Sequence, residues 1–262
     1  MNRADARVDP RAAVDPGAVL GEGTTVGPFA VVGSKVVVGA RVRIGPNVVL
    51  MGPTTIGDDS EIHPFASIGG PPQDLKYKGE DTRLVIGARN IFRESCTINR
   101  GTAGGGGVTT IGDDNLFMAG AHVAHDCHVG NGTIFANAAT LAGHVTVGNH
   151  STIGAYSGVH QFCRIGDHAF IGGYSVITQD AMPYVLTVGN RAKAMGINVL
   201  GLRRRQFSDE VVAALRRTYR TLFREKLPLG DAIAEVEREL GSIEEVAYFL
   251  EFVRSSERGV VR

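Results

Sequence analysis

Residues 111–177 read IGDDNLFMAGAHVAHDCHVGNGTIFANAATLAGHVTVGNHSTIGAYSGVHQFCRIGDHAFIGGYSVI, and a large apolar residue returns at every sixth position. Neither an α-helix, with a period of 3.6, nor a half-buried strand, with a period of 2, explains this spacing. A sixfold repeat is typical of a parallel β-helix, in which three hexads, or roughly eighteen residues, close one triangular coil. The repeated positions are Ile111, Phe117, Val123, Val129, Phe135, Leu141, Val147, Ile153, Val159, Ile165, Ile171 and Ile177.

The same repeat runs through the preceding part of the chain, from Val14 to Ile68, and resumes from Ile86 to Ile98 before it shifts by one residue. Glycine often follows the apolar residue, and the fifth position of each hexad is usually small. We expect both the apolar and the small residues to fill the narrow interior. The cysteines Cys96, Cys127 and Cys163 all occupy this fifth position, so we expect buried thiols, neither paired in disulfides nor bound to zinc.

Two stretches interrupt the repeat. Residues 70–84 are polar, and long loops in compact folds are often functional. Residues 101–110 are rich in glycine, lack the Gly-Lys-Ser/Thr ending of a phosphate loop, and suit a tolerated surface excursion.

From about residue 196 the pattern becomes helical, which predicts a β-helix domain over 1–190 and a C-terminal helical domain over 191–262. Ser208 is the expected N-cap of one helix, and a second should cover about 231–240. Ser242 and Glu245 predict a capping box for a third.

Composition narrows the function classes. The 27 basic and 27 acidic residues balance, so we expect no strong nucleic-acid footprint. No stretch is apolar enough to span a bilayer, and no signal-peptide core is visible, so we expect a cytoplasmic protein. The segment from Arg203 to Lys226 carries eight basic and three acidic residues. It is either a solvated face or a docking surface for an acidic partner such as acyl carrier protein.

Four histidines gather on one edge of the predicted coil, at outward positions: His122, His125, His144 and His160. His125 should stack under Gly143, and Gly143 under Gln161. Histidine is the usual general base near neutral pH, and a glycine N–H can approach an oxyanion closely. Asp126 follows His125, but neighbours on a strand point to opposite faces. Any contact between them must therefore come from a turn or from a neighbouring subunit.

A second histidine pair, His150 and His168, should also stack, because eighteen residues separate the two. Such a column could bind a metal, although stacked surface histidines more often have no role.

Three segments, Ile68–Thr102, Ala121–Asn131 and Gly196–Phe207, resemble the UDP-N-acetylglucosamine O-acyltransferases of lipid A synthesis. The resemblance implies a left-handed parallel β-helix of hexapeptide repeats that forms a homotrimer, with active sites between subunits. It implies transfer of an (R)-3-hydroxyacyl group from acyl carrier protein to the glucosamine 3-hydroxyl of UDP-N-acetylglucosamine. The reaction that the resemblance implies requires neither a metal nor a bound cofactor.

The resemblance also implies roles for individual residues. His125 would be the general base, Asp126 its support, and the Gly143 amide would face the oxyanion. Gly173 matches the position that limits acyl-chain length, so we expect a preference for long chains. Leu200 and Asn99 depart from the family, which commonly has an acidic residue and a histidine there. The remaining matches to substrate contacts are Gln73, Asp74, Lys76, His122, His144, His160, Gln161, Asn198, Arg204 and Arg205.

Alternative functions stay open at this point. Some family members acylate a 3-amino sugar nucleotide. The related N-acyltransferase has an extra N-terminal domain, for which hexads starting at Val14 leave no room. A hexapeptide carbonic anhydrase needs zinc-binding histidines five residues apart, and no two histidines here have that spacing. A non-catalytic scaffold would leave the histidine edge and the polar loop unexplained.

Overall fold

The computed structural model describes residues 5–225 and 227–262, so Lys226 of the basic segment lies outside the described residues. Short strands pass in rotation through three sheets, which form the faces of a triangular prism. The first face contains Arg7–Val8, Thr25–Val26, Arg43–Ile44, Glu61–Ile62, Ile91–Phe92, Leu116–Phe117, Ile134–Phe135, Thr152–Ile153, Phe170–Ile171, Val185–Val188 and Lys193–Ile197. The second contains Ala13–Val14, Val31–Val32, Val49–Leu50, Ser67–Gly70, Thr97–Asn99, His122–Val123, Thr140–Leu141, Gly158–Val159 and Val176–Ile177. The third contains Val19–Leu20, Val36–Val38, Thr54–Ile56, Arg83–Ile86, Val108–Ile111, His128–Val129, Thr146–Val147 and Arg164–Ile165.

The register of these strands confirms the coil of eighteen residues. Ile134 pairs in parallel with Thr152, and Thr152 with Phe170. At the two interruptions the partners are further apart: Glu61 pairs with Ile91, and Ile91 with Leu116. The first loop therefore adds twelve residues, two whole hexads, and keeps the phase, whereas the second adds seven and produces the one-residue shift. The loops themselves are shorter than predicted, because strands reach Gly70 and resume at Arg83 and Val108.

The interior of the prism is filled as the hexad predicts. From Leu20 to Ile177 the repeated apolar residues are buried, and the small residues at the fifth position are buried beside them. All three cysteines are buried and unpaired. In the middle coils Phe92 stacks on Phe117, and Phe117 on Phe135, with ring centroids 4.9 and 4.7 Å apart.

Among the described residues, four α-helices follow the coils: α1 (Val199–Arg204), α2 (Asp209–Phe223), α3 (Leu229–Leu240) and α4 (Glu244–Arg254). Ser208 caps α2 as predicted, since its side chain accepts from the Val211 N–H. The prediction of a capping box at Ser242 is wrong, because Ser242 is not the N-cap of α4. A turn in which the Ile243 N–H donates to the Leu240 carbonyl carries the chain one residue further, and Ile243 takes the N-cap position without a side-chain cap.

A second core joins the helices to the last coils. The antiparallel hairpin of Val185–Val188 and Lys193–Ile197 contributes Val185 and Ala194 to it, and α4 contributes Phe249. This hairpin spans the predicted domain boundary near residue 190, which stays a prediction. Within the described ranges, no helix is both long and apolar enough to cross a membrane.

Replacing Phe117 with alanine should destabilise the coils, because the phenylalanine is fully buried between two stacked rings. We expect a loss of about 3–5 kcal/mol in the free energy of unfolding, the usual cost of removing a buried aromatic side chain. Urea unfolding followed by circular dichroism measures it.

Phe170→Ala is the matched control, since this side chain sits on an outward position and is 36% exposed. Equal losses in the two variants would contradict the stacked interior.

Candidate active site

A column of turn residues lies at the corner between the second and third faces, where the chain leaves His122–Val123 and enters His128–Val129. Asp126, His144 and Phe162 follow one another up this corner, and each has a left-handed φ, of 58°, 61° and 64°. Histidine and aspartate tolerate this conformation better than most residues. We call this region, with His125 and Gly143, the histidine corner.

The left-handed turn brings Asp126 to the side chain that precedes it. His125 Nδ1 lies 2.8 Å from Asp126 Oδ2, so the contact comes from a turn within the same chain. The Asp126 side chain is fully buried. Burial by itself raises the pKa of this carboxyl, but hydrogen bonds from Thr102 and His125 outweigh it and hold the pKa below its usual range. The ionised carboxylate can only accept, so Nδ1 of His125 carries the proton and Nε2 is the basic atom.

The glycine-rich segment 101–107 holds the other side of Asp126, which the sequence did not indicate. The Thr102 N–H donates to Asp126 Oδ1 at 2.8 Å, and Thr102 Oγ1 donates to Oδ2 at 2.6 Å. The Asp126 N–H in turn donates to the buried Thr109 Oγ1 at 2.8 Å. The loop lies at the surface as predicted, since Ala103, Gly104 and Gly106 are exposed. It is more than a tolerated excursion, because Thr102 donates two hydrogen bonds to Asp126.

Gly143 is required by the ring beneath it. A Cβ at this position would lie 2.6 Å from Cε1 and 2.8 Å from Nε2 of His125, too close for any side chain. Within the described part of the chain, the Gly143 N–H has no hydrogen-bond acceptor. His144 packs edge-on against His125 with centroids 5.2 Å apart, and stacks on Phe162 at 4.5 Å. Burial lowers the pKa of His144.

The two other predicted histidines of this edge, His122 and His160, differ in burial. His122 Nδ1 lies 2.7 Å from Thr97 Oγ1, and burial lowers its pKa. His160 is exposed, and its Nδ1 lies 3.1 Å from the Gln161 carbonyl oxygen and 3.4 Å from Nη2 of Arg258. Arg258 comes from the C-terminal end of the chain, and no sequence pattern pointed to it.

The polar loop, residues 71–82, is tied to the coil by two residues that precede the glycine-rich segment. Arg100 donates to the carbonyls of Gly52 and Gly69 and, at 3.1 Å, to the Tyr77 hydroxyl inside the loop. Asn99, one of the departures from the family, donates to the Pro71 carbonyl at 3.0 Å.

The loop brings one charge towards the histidine corner. The negative charge of Asp74 partly offsets the lowering of the His144 pKa that burial causes. Gln73 and Lys76 are exposed. Among the described residues, neither side chain forms a hydrogen bond or an ion pair with a residue of the corner.

A second group of predicted residues lies elsewhere, around an open cavity of about 410 Å³ that we call the arginine cavity. His150 and His168 stack as expected, with centroids 5.0 Å apart. Burial lowers the pKa of His168 to about 4, with smaller contributions from His150 and Arg205, so its ring is neutral near pH 7. The lining residues are Ile134, His150, Thr152, His168, Phe170, Asn198, Leu200, Gly201, Arg204 and Arg205.

The first helix, α1, borders this cavity. Asn198 caps α1 by accepting from the Gly201 N–H, and its side-chain amide donates to the His168 carbonyl at 3.3 Å. Arg205 Nη2 lies 3.4 Å from the Gly132 carbonyl oxygen. Burial lowers the pKa of His150 as well, so the permanent positive charge of the cavity is that of Arg204 and Arg205.

The two groups occupy different corners of the prism. The histidine corner joins the second and third faces, whereas His150, His168 and Gly132 lie where the third face turns into the first. Gln161 belongs to the histidine corner, because the neighbouring Phe162 donates its N–H to the Gly143 carbonyl. The structure of one chain therefore does not bring Gln161 to Asn198, Arg204 and Arg205.

Within the part of the chain that the structure describes, a group of three side chains in the histidine corner has a geometry in which a metal could be held. His125, Asp126 and His144 each offer a ligand atom, and these atoms lie within 4.8 Å of one another. However, His125 Nδ1 and Asp126 Oδ2 already bond to each other, and Thr102 donates to both carboxylate oxygens. The donor set therefore fits an imidazole–carboxylate pair better than a metal centre.

Comparison with known proteins identifies the relatives of this chain. Residues 180–261 match the family described as UDP-N-acetylglucosamine O-acyltransferase, domain 2. Residues 35–70, 109–143 and 144–179 match the bacterial transferase hexapeptide repeat.

Relatives that match over most of the chain carry the name of this family. An acyl-[acyl-carrier-protein]–UDP-N-acetylglucosamine O-acyltransferase of Paraburkholderia xenovorans (strain LB400) is 51% identical over 212 residues, 79% of this chain and 80% of the relative. One of Anaeromyxobacter sp. (strain Fw109-5) is 46% identical over 213 residues, 81% and 83% of the two chains. The crystal structure of the Moraxella catarrhalis UDP-N-acetylglucosamine O-acyltransferase superposes with a TM-score of 0.95 at 42% identity, covering 97% of this chain and 99% of that one. This chain therefore belongs to the UDP-N-acetylglucosamine O-acyltransferase family.

Proposed function

We propose that the protein transfers an (R)-3-hydroxyacyl group from acyl carrier protein to the glucosamine 3-hydroxyl of UDP-N-acetylglucosamine, the first step of lipid A biosynthesis. The observation that carries this proposal is the His125–Asp126 pair, whose imidazole ring lies so close to Gly143 that a Cβ on this glycine would be 2.8 Å from Nε2. Within the described residues, the Gly143 N–H has no acceptor. A base and an oxyanion donor side by side are what acyl transfer to a hydroxyl requires.

The steps follow from these positions. Nε2 of His125 removes the proton as the sugar oxygen attacks the thioester carbonyl carbon, and the charge of Asp126 stabilises the imidazolium that forms. The Gly143 N–H donates to the oxyanion. Collapse of the tetrahedral intermediate breaks the carbon–sulfur bond, and the imidazolium returns its proton to the departing thiolate. The ester and the free carrier thiol are the products, and no cofactor takes part.

The arginine cavity fits the nucleotide end of the acceptor. The planar guanidinium groups of Arg204 and Arg205 pair well with diphosphate oxygens. Asn198 is held at the rim by its bonds to α1 and to His168. Leu200 is 63% exposed in the lining, so this chain offers an apolar contact where relatives commonly have an acidic one.

An active site shared between subunits would explain why the histidine corner and the arginine cavity lie at different corners of one prism. UDP-N-acetylglucosamine must place its sugar at the histidine corner and its diphosphate against the arginines, which lie on different edges of one prism. Three prisms around a threefold axis bring one corner of each subunit next to another corner of its neighbour, and such a ring closes on itself. We therefore propose a homotrimer in which His125 and Arg205 of each site come from different subunits.

Acyl carrier protein is acidic, and the exposed side of α2 is the basic surface that suits it. Arg203, Arg217 and Arg220 are each engaged with a nearby carboxylate, whereas Arg216 beside them has no ion pair among the described residues. The encounter of carrier and enzyme takes place in the cytoplasm under this proposal.

The product of the reaction tests the function. Purified protein, UDP-N-acetylglucosamine and a mixed set of 3-hydroxyacyl carrier proteins should give one 3-O-acylated sugar nucleotide in mass spectrometry. His125→Ala should lower turnover by roughly 10²–10⁴-fold, because a general base contributes about that much.

His128→Ala is the matched control, since His128 is exposed three residues further on and bonds to Thr110 instead of Asp126. Wild-type protein without product would refute the proposed reaction, and equal turnover in the two variants would refute the role of His125.

Mixed oligomers test the shared site. His125→Ala and Arg205→Ala subunits should each be weakly active alone, yet co-expressed they should recover about a quarter of wild-type turnover, the share of junctions that join two intact halves. Steady-state assays on differently tagged, co-purified subunits measure this. No recovery in an oligomer that contains both subunits would place both residues of a site on one chain.

Gly173→Met tests the acyl-chain preference. Position 173 is exposed, and a Cβ there would meet only the Ala155 backbone, at 3.3 Å from its oxygen, so a side chain can project outward. We expect the variant to lose activity on the longest donor that the wild type accepts and to favour shorter chains, in assays over a series of chain lengths. Full activity on that longest donor would contradict the assignment.

A further inference from the structure

Asp126 is a buried carboxylate that forms no ion pair with an arginine or lysine of the described residues. Among the described residues, its ion-pair partners are His125 and, at 3.7 Å, Nε2 of His144. Cys127, the next residue, stays a neutral thiol, because burial raises its pKa to about 12. Asp74 and His128 act on His144 from further away, and neither bonds to Asp126.

This arrangement creates a difficulty for a base. Before the reaction, His125 must be neutral, so it cannot supply a positive charge to keep Asp126 ionised. A buried carboxylate without a cation tends to take up a proton. A protonated Asp126 could donate to His125 Nδ1, and the imidazole would then carry its own proton on Nε2, the atom that should accept one.

Thr102 supplies what a cation would otherwise provide. Its N–H and its hydroxyl reach both oxygens of Asp126, at 2.8 and 2.6 Å, while His125 shares Oδ2. Neutral donors that bond to the charged form favour that form and add no charge to the site. The hydroxyl bond at 2.6 Å has the length of a charge-assisted one.

The glycine-rich segment makes this approach possible. A Cβ at Gly105 would run into the Asp126 carboxylate group, whereas a Cβ at the neighbouring Gly104 would meet nothing within 4 Å. Both glycines lie in the short 3₁₀ helix Ala103–Gly105 that follows Thr102. The segment is therefore shaped around Asp126 at one glycine and open to solvent at the other.

We propose that Thr102 is a positioning residue for acyl transfer: it keeps Asp126 ionised and oriented, so that His125 holds its proton on Nδ1 and presents an unprotonated Nε2. Thr102 touches neither substrate in this role and acts only through Asp126. The inference rests on the proposed function of His125, but its effect on the imidazole can be observed without turnover.

Kinetics on two variants of Thr102 test the proposal. Thr102→Val removes the hydroxyl and should lower kcat by roughly ten- to hundredfold, the size expected for one hydrogen bond to a charged group, with the KM of both substrates nearly unchanged. Thr102→Ser keeps the hydroxyl and should retain most of kcat. Full kcat in Thr102→Val, or a change confined to KM, would overturn the role.

The tautomer of the His125 imidazole can be measured independently of catalytic turnover. Nitrogen NMR of ¹⁵N-histidine-labelled protein, with His125→Ala to assign the ring, should show Nδ1 protonated in the wild type and a mixture of tautomers in Thr102→Val. An unchanged tautomer would overturn the proposal even where kcat falls. A wild type that shows the tautomer but makes no product would instead refute the proposed function alone.

The two glycines give a matched pair that leaves Thr102 intact. Gly105→Ala should reproduce the fall in kcat, because its methyl group displaces the carboxylate, and Gly104→Ala should behave as wild type. Thermal unfolding of both variants identifies a folding defect. Equal kcat in folded Gly105→Ala and Gly104→Ala would contradict the shaping of the segment around Asp126.

Discussion

Hydrogen bonds between parallel coils are the constraint on which the rest of the molecule depends. Each strand is too short to be stable alone, and its backbone groups are satisfied by residues one coil above and below. This stacking fixes which residues share a column. The large apolar residues of successive coils therefore all point into the interior. Asp126, His144 and Phe162 lie in one column at a corner, so a site can be assembled from residues far apart in the chain.

The two insertions that interrupt the repeat lie next to the histidine corner. A regular prism is convex and offers its side chains to solvent, which suits neither a buried carboxylate nor a base. The two insertions change this locally. The glycine-rich segment covers Asp126, and the polar loop brings Asp74 towards His144. The left-handed turn at Asp126 then lets two adjacent side chains meet on the same side of the backbone.

The regular part of this architecture could be predicted well. The hexad gave the buried residues, the positions of the cysteines and the stacking of His125 under Gly143 and of His150 under His168. Predictions that depend on a single local conformation were less accurate. Ser242 does not cap a helix, because the preceding turn shifts the start of α4 by one residue. The contact between the glycine-rich segment and Asp126 was not predicted, because nothing in the composition of this segment indicates a neighbouring carboxylate.

Periodicity is what the sequence alone determined, since each hexad obeys the same local rule and every repetition strengthens the signal. The contact of Thr102 with Asp126 joins residues that no period relates, across an insertion whose path is set by glycines and by the carboxylate itself. The same holds for the arginine cavity, in which residues of the coils meet residues of α1 and its two flanking positions. Only the tertiary structure decided these contacts, because they depend on the φ angles and packing of segments that occur once in the chain.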